Sequence, residues 1–338
     1  MLPAKYADRI KNDDTSIPLR EEPNMPKVID LELDLPPTVD DLVDKMNEFL
    51  LRSGEKGLAN YGNIFGPSRA RALEFTAEEI EQIRKLPEDK LDSILTERAE
   101  KAMVSLPQFM ELLDEAGIEW GVINAGSHEK TAELVSNHPE RFVGCAYVDP
   151  HEGMKAVREL ERAVRELGLK CFYASPYRFG VRANDKKFYP LYAKAVELDI
   201  PVFVYTTMTY RTDFPMDIGH PIYLDEVAID FPELKIIAGL GGWPWVPDMV
   251  GVARRHQNVY ISTAGHRPKY LVTPGSGWEM LMQFGNTLLQ DRIVFASSWA
   301  TYAMPINNVV EEMSALPLKD EVKEKWLYKN AARLFRRD

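Results

Sequence analysis

Asp199-Ile200-Pro201-Val202-Phe203-Val204-Tyr205-Thr206 decides the fold: a signal that stops a helix, followed at once by a short β-rich apolar run. The same two-part signature recurs along the chain. Ala116-Gly117, Leu167-Gly168, Phe231-Pro232-Glu233 and Gln257-Asn258 each stand before an extended run. Strands are therefore expected over residues 120–124, 142–148, 169–174, 202–206, 234–239, 259–263 and 293–297, and residues 27–33 make an eighth. From about Met103 these runs alternate with amphipathic helical stretches, the pattern of a parallel sheet with crossover helices. An open doubly wound sheet usually announces a glycine-rich phosphate turn after its first strand, and Leu33-Asp34-Leu35-Pro36-Pro37 has none. Eight units suit a closed (β/α)8 TIM barrel better.

The 338 residues are enough for one such α/β domain with a sizeable core, and 45% hydrophobic with 28% charged residues is a globular profile. A net charge of −11 without a basic stripe argues against a nucleic-acid surface. Two cysteines, Cys145 and Cys171, are too few for a disulfide framework or a cysteine zinc site, so a reducing cytoplasm is the simplest setting. No run approaches the roughly 20 apolar residues of a membrane span, and Met1-Leu2-Pro3-Ala4-Lys5 opens no signal peptide.

Residues 1–26 are expected to form an arm and residues 27–338 a single barrel domain. Residues 35–106 read as an insertion after strand one, with a helical stretch, a Gly/Asn-rich piece at 57–66 and a charged helix from Thr76. Leaving the carboxyl end of a strand, it is expected over the barrel mouth as a lid or subunit contact. A C-terminal helix is expected over 319–338.

Several landmarks in order and spacing resemble the amidohydrolase-related family that includes the aminocarboxymuconate-semialdehyde and resorcylate decarboxylases. They are Val28-Ile29-Asp30, His138-Pro139-Glu140-Arg141-Phe142, Phe231-Pro232-Glu233-Leu234-Lys235-Ile236-Ile237, Gly241-Gly242-Trp243-Pro244-Trp245, His266-Arg267-Pro268-Lys269-Tyr270, Asp291-Arg292-Ile293-Val294-Phe295 and Asn330-Ala331-Ala332-Arg333-Leu334-Phe335. The resemblance covers most of the chain from Lys27 onward and implies a metal-dependent barrel and a homodimer or higher homo-oligomer. It implies a divalent ion held by a His-x-His pair ending strand one, a histidine ending each of strands five and six, and an aspartate ending strand eight. Those positions fall here on Glu32 and Asp34, Tyr205, Leu240 and Ser298. Zinc needs three or four imidazole, thiolate or carboxylate donors, so no metal and no other cofactor is expected. The six histidines include no His-x-His or His-x-x-x-His pair, and only His266 and His220 are expected after a strand on the mouth side.

Strand-end residues face the mouth of such a barrel. Glu32, Asp34, Tyr205 and His266 are the candidate catalytic residues, with Tyr173, Tyr177, Arg178, Arg211, Trp243, Ser298 and Trp299 as candidate substrate contacts beside Asn124. Two apart on a strand, Glu32 and Asp34 are expected to crowd so that one carboxyl is raised and serves as general acid or base; solvated or ion-paired carboxylates are the plain alternative. Tyr205 could donate a proton or simply fill the metal's place; His266 could be an acid/base partner or a structural histidine. Arg178, Arg211 and Lys170 could bind a substrate carboxylate or stand in surface ion pairs. The indoles of Trp243, Trp245 and Trp299 favour packing, and Ser298 lacks the elbow of a catalytic serine.

Three readings follow. The first is a metal-independent lyase or decarboxylase, hydratase or hydrolase acting by acid/base chemistry on a small carboxylated or phenolic compound. The second is a catalytically silent barrel that binds a ligand or supports a partner subunit, favoured by Leu240 and Ser298. The third is a hard Mg²⁺ or Mn²⁺ site built from Glu32, Asp34 and nearby oxygens. Self-association is expected through the insertion and the C-terminal helix around Trp326 and Tyr328.

Overall fold

The computed structural model describes residues 26–51, 73–302 and 304–337. The expected arm, Pro26 apart, and the piece at 57–66 lie outside these. Where the stop signals stand, the chain turns: Gly117 and Gly168 adopt φ of 71° and 75°, a backbone that costs an L side chain roughly 1–2 kcal/mol. Each ends a helix and releases a strand. The strands are β1 Val28–Asp30, β2 Ile118–Ile123, β3 Phe142–Tyr147, β4 Cys171–Ala174, β5 Val202–Tyr205, β6 Ile236–Gly239, β7 Val259–Ser262 and β8 Ile293–Val294. They lie in sequence order, every neighbouring pair parallel. Seven of the eight expected runs contain one, and β2 begins two residues before its run, at Ile118.

Past the ends of β8 and β1 the ring is joined by hydrogen bonds. Leu31 N–H donates to the Phe295 carbonyl at 3.1 Å. Asp30 Oδ1 accepts from the backbone N–H of Ser297 at 3.0 Å and of Glu32 at 3.1 Å. The carboxyl of Asp30 thus clasps the last strand to the first.

Side chains alternate across each strand. Val202, Val204, Ile236, Ala238 and Ile261 point outward and bury against helical Leu160, Leu191, Leu224 and Met249. Ile29, Leu31, Val143, Cys145, Cys171, Phe203, Ile237 and Val294 fill the interior. On β3, β4 and β5 the inward row climbs from Cys145, Cys171 and Phe203 to Tyr147, Tyr173 and Tyr205, so three adjacent strands carry an inward tyrosine at or one residue before their ends.

Of the insertion, helices Val39–Leu51, Ala77–Ile83 and Glu88–Ala102 share a small core of Leu42, Met46, Leu73, Phe75, Leu91 and Leu95. The charged helix starts where the sequence places it, on a Thr76–Glu79 capping box. The C-terminal segment differs from the single helix expected. It runs as Asp320–Glu324, a π-helical stretch Lys325–Lys329, and Asn330–Phe335. Trp326 is fully buried, its indole N–H donating to the Gly285 carbonyl at 3.3 Å. It belongs to the barrel's own core and cannot serve as the exposed subunit contact expected of it. No helix among the described residues is long and apolar enough to cross a membrane.

Candidate active site

β1 ends at Asp30, and the chain turns at Leu31–Glu32. Glu32 and Asp34 therefore lie beyond the strand, and strand alternation does not set their directions. The turn carries the Glu32 carboxyl across the mouth. Ser262, ending β7, donates its hydroxyl to Glu32 Oε2 at 3.0 Å, while Ser262 Oγ accepts the Ala264 N–H at 3.2 Å. Tyr205, ending β5 on the opposite side of the ring from β1, has its phenol beside Glu32 and favours the ionised carboxyl. A single carboxyl thus joins three strand ends near the barrel axis.

Burial raises Glu32 from 4.5 to about 8. The Tyr205 and Ser262 hydroxyls oppose the rise, and Asp34 and Asp30 add smaller repulsions. Crowding by Asp34 is a lesser cause than the strand argument predicts; desolvation leads. Burial likewise raises Asp30 to about 6, with hydrogen bonds from Ser297 and Glu32 opposing it. Desolvation also holds the phenols of Tyr173 and Tyr205 well above their ordinary range. At neutral pH the centre is thus a neutral carboxylic acid beneath neutral phenols. Tyr173 and Tyr205 stack at 5.5 Å with 11° between planes, and Tyr177 lies against Tyr205 at 5.7 Å.

The other expected site residues are placed differently. His266 sits between Trp243, at 5.6 Å, and Trp278, at 4.8 Å. Burial lowers it to about 4, so it is neutral at pH 7 and an ineffective proton donor there. Trp243 donates its indole N–H to the Ser276 carbonyl at 3.3 Å. Trp299 stacks on Phe109 at 5.9 Å and donates to the Asp34 carbonyl at 2.9 Å, which places it in the packing under the loop after β8. Arg211 is engaged by Asp213 and lies over Phe214. Asn124 donates to the Cys145 carbonyl at 2.9 Å. Lys170 precedes β4 and so stands at the opposite end of the barrel from the mouth. His128 and His151, not expected on the mouth side, follow β2 and β3 there, but Glu159 and Asp149 hold their imidazoles.

Sequence reasoning missed Asp30, Tyr147, Ser262 and Tyr302. Tyr147 and Ser262 end β3 and β7 under the same strand-end rule that picked out Tyr205. Tyr302, four residues beyond Ser298, has a buried phenol oxygen without a hydrogen-bond partner among the described residues, and it feels Asp34 and Glu32 most among its charged neighbours. Only the helical turn after β8 brings it there.

The donor set does not fit a divalent ion. Ser298 Oγ accepts the Gly265 N–H at 3.1 Å, and a Cβ built on Gly265 would meet Leu240 Cδ2 at 2.5 Å. The loop after β7 is therefore folded against both positions. Leu240 and Ser298 hold φ of 64° and 45°, a strained backbone kept by its surroundings. Leu240 offers no donor atom, and among the described residues no three His, Cys, Asp or Glu side chains converge as metal ligands would.

A cleft of about 600 Å³ among Lys27, Trp120, Arg141, Tyr328 and Arg337 lies at the amino ends of β1–β3. That face of a barrel serves stability rather than catalysis.

An amidohydrolase family model matches residues 84–337. The chain belongs to that family. This amidohydrolase is 24% identical over 195 residues to the decarboxylase orsB of Emericella nidulans, covering 55% of this chain and 53% of that one. It is 24% identical over 247 residues to the gamma-resorcylate decarboxylase of a Polaromonas species, covering 56% and 75%. The amidohydrolase chain thus spans about half the length of the first of these curated relatives. Among solved structures, an uncharacterized TIM-barrel protein from Bordetella bronchiseptica superposes with a TM-score of 0.64 at 25% identity, over 92% of this chain and 99% of that one.

Proposed function

We propose that this amidohydrolase is a metal-independent lyase that decarboxylates a small hydroxylated aromatic acid, with Glu32 as the general acid. One observation carries the reading: a buried carboxyl at the barrel axis, hydrogen-bonded by Ser262 from β7 with the Tyr205 phenol from β5 beside it. The relatives named as decarboxylases support the reaction class.

Loss of CO2 from an aromatic acid needs a proton on the ring carbon that bears the carboxylate. Glu32 delivers its proton there, and the new C–H bond takes an electron pair from the ring, with a neighbouring hydroxyl oxygen stabilising the electron-poor ring. The C–C bond to the carboxylate then breaks, its pair restores aromaticity, and CO2 leaves. Glu32, now a carboxylate, keeps the Ser262 O–H bond and is favoured by the Tyr205 phenol until it recovers a proton from solvent. The balance is one aromatic carboxylate and one proton in, one arene and CO2 out. An acid near pKa 8 is protonated at pH 7 and still strong enough to give its proton up.

The test is incubation of chelator-treated protein with 2,6-dihydroxybenzoate and related hydroxybenzoates in D2O. CO2 release with one deuterium at the vacated ring carbon, lost in Glu32→Gln, is expected. Turnover that returns only with added Mg²⁺ or Mn²⁺ refutes metal independence. No turnover with any member, with or without metal, favours the silent barrel that Leu240 and Ser298 suggest.

A further inference from the structure

Four arginines stand on mouth-side loops, and three are engaged by carboxylates. Arg182 pairs with Asp217 at 3.1 Å, Arg211 with Asp213, and Arg267 with Glu312 at 2.8 Å. Arg178 differs. In a chain of net charge −11, its exposed guanidinium makes no ion pair among the described residues and lies over the Tyr147 ring, 5.0 Å from the centroid. The ring it covers carries an unsatisfied group. Tyr147 Oη is buried with no hydrogen-bond partner among the described residues, and the nearby Ser175 hydroxyl completes no bond of ordinary geometry with it. A buried orphan hydroxyl costs about 1–3 kcal/mol unless something binds it.

The position is as telling as the chemistry. The helical turn Pro176–Phe179 sets Tyr177 against Tyr205 and Arg178 over Tyr147, while Phe179 stacks on Tyr147 at 5.4 Å. Tyr147 is the register partner of Tyr173, which stacks on Tyr205, whose phenol lies beside Glu32. The row from β3 to β5 crosses two strand spacings, roughly 10 Å, and shortens as side chains converge on the axis. The row thus runs from Glu32 at one end toward Arg178 at the other, a span on the scale of a substituted aromatic ring.

We propose that Arg178 and the Tyr147 hydroxyl form a specificity subsite for a second carboxylate on the substrate ring, one that stays on the product. This deepens the lyase reading and rests on it: the substrate class becomes a hydroxylated aromatic dicarboxylate.

The test uses two probes that cannot lose CO2 by this route. 3-Hydroxybenzoate carries a carboxylate that the subsite would take; resorcinol has the same ring with a hydroxyl in its place. Dissociation constants are measured by calorimetry or ligand-observed NMR at fixed ionic strength, on wild type, Arg178→Met, Arg178→Lys and Tyr147→Phe. Wild type is expected to bind 3-hydroxybenzoate at least tenfold more tightly than resorcinol. Arg178→Met should bring that preference below threefold with resorcinol affinity held, Arg178→Lys should keep part of it, and Tyr147→Phe should reduce it. A preference that survives Arg178→Met puts the carboxylate elsewhere and overturns the proposal. So does an equal loss for resorcinol, which would make Arg178 a shaping residue, or failure of wild type to prefer the anion. Because no turnover is read, a chain that incorporates no deuterium yet shows this preference would keep the subsite and lose the lyase.

Discussion

Glu32→Gln gives the sharpest test of the neutral carboxyl. In the folded chain burial raises Glu32 from 4.5 to about 8. Between those values the folded state holds a proton that the unfolded state has released, so stability falls as pH rises. Below about 4.5 both states are protonated and the contribution is full; above about 8 both are ionised and it is gone. At about 1.4 kcal/mol per pH unit the interval is worth up to about 5 kcal/mol. Glutamine keeps the size and the acceptor for Ser262 and cannot ionise. Urea unfolding of wild type and variant from pH 5 to pH 9, with midpoints and slopes fitted separately, reads the difference directly. Wild type should lose stability relative to Glu32→Gln by several kcal/mol across this range, most steeply from pH 5 to 8. Parallel curves would mean that Glu32 is ionised at neutral pH, and the acid mechanism would fall with it.

Other outcomes follow from the same geometry. Ser262→Ala removes a hydrogen bond that favours the ionised Glu32, so the alkaline limb of the pH–rate profile should move up by about 1 pH unit; a downward or absent shift refutes the assignment. Asp30→Ala leaves the Ser297 and Glu32 N–H groups without their acceptor and should cost about 3–5 kcal/mol at neutral pH, read by chemical unfolding; a loss under 1 kcal/mol would show that the clasp is dispensable. Gly265→Ala meets Leu240 at 2.5 Å on a backbone of φ 76° and should lower the melting temperature, with a cost of about 1–3 kcal/mol. His266 should titrate near pH 4 by NMR; a midpoint above 6 would show that its indole surroundings do not exclude water.

The barrel was legible because every unit repeats one local instruction, a helix stop followed by an apolar run, as at Asp199-Ile200-Pro201 before β5. Position at or after a strand end also picked out Tyr173, Tyr177 and Tyr205, whose rings lie against one another, the first stacked on Tyr205 and the second tilted to it. Three-dimensional closure was less legible. The turn at Leu31–Glu32 redirects the carboxyl across the barrel to Ser262, 230 residues away in sequence, and no period in the sequence announces that. Trp299 looked like a mouth residue because it follows β8, yet the helical turn it begins swings the indole onto Phe109. Trp326 resembled an amphipathic surface because a π-helical stretch, which alters which side chains share a face, is not visible in a 3.6-residue pattern.

On the proposed metal-independent reading, charge supply at the mouth ties Glu32, Tyr205, Leu240 and Ser298 together. A divalent ion offers positive charge to an acid substrate, and removing its ligands one at a time would leave buried carboxylates repelling one another and the substrate. Here Leu240 and Ser298 bind the loop after β7 into the space beside them, and burial keeps Glu32 protonated. On that reading the same desolvation that disfavours a carboxylate ligand favours a carboxylic acid donor, so weak metal affinity and a general acid would have one physical cause. Reversal should therefore require more than one substitution. Tyr205→His with Ser298→Asp restores two donors but leaves Leu240 packed on Gly265 and adds a charge to a buried site. Without Leu240→His as well, the double variant should bind Zn²⁺ or Mn²⁺ weakly and be less stable than wild type; calorimetric titration showing one tight ion per chain in the double variant would refute this account of the mouth.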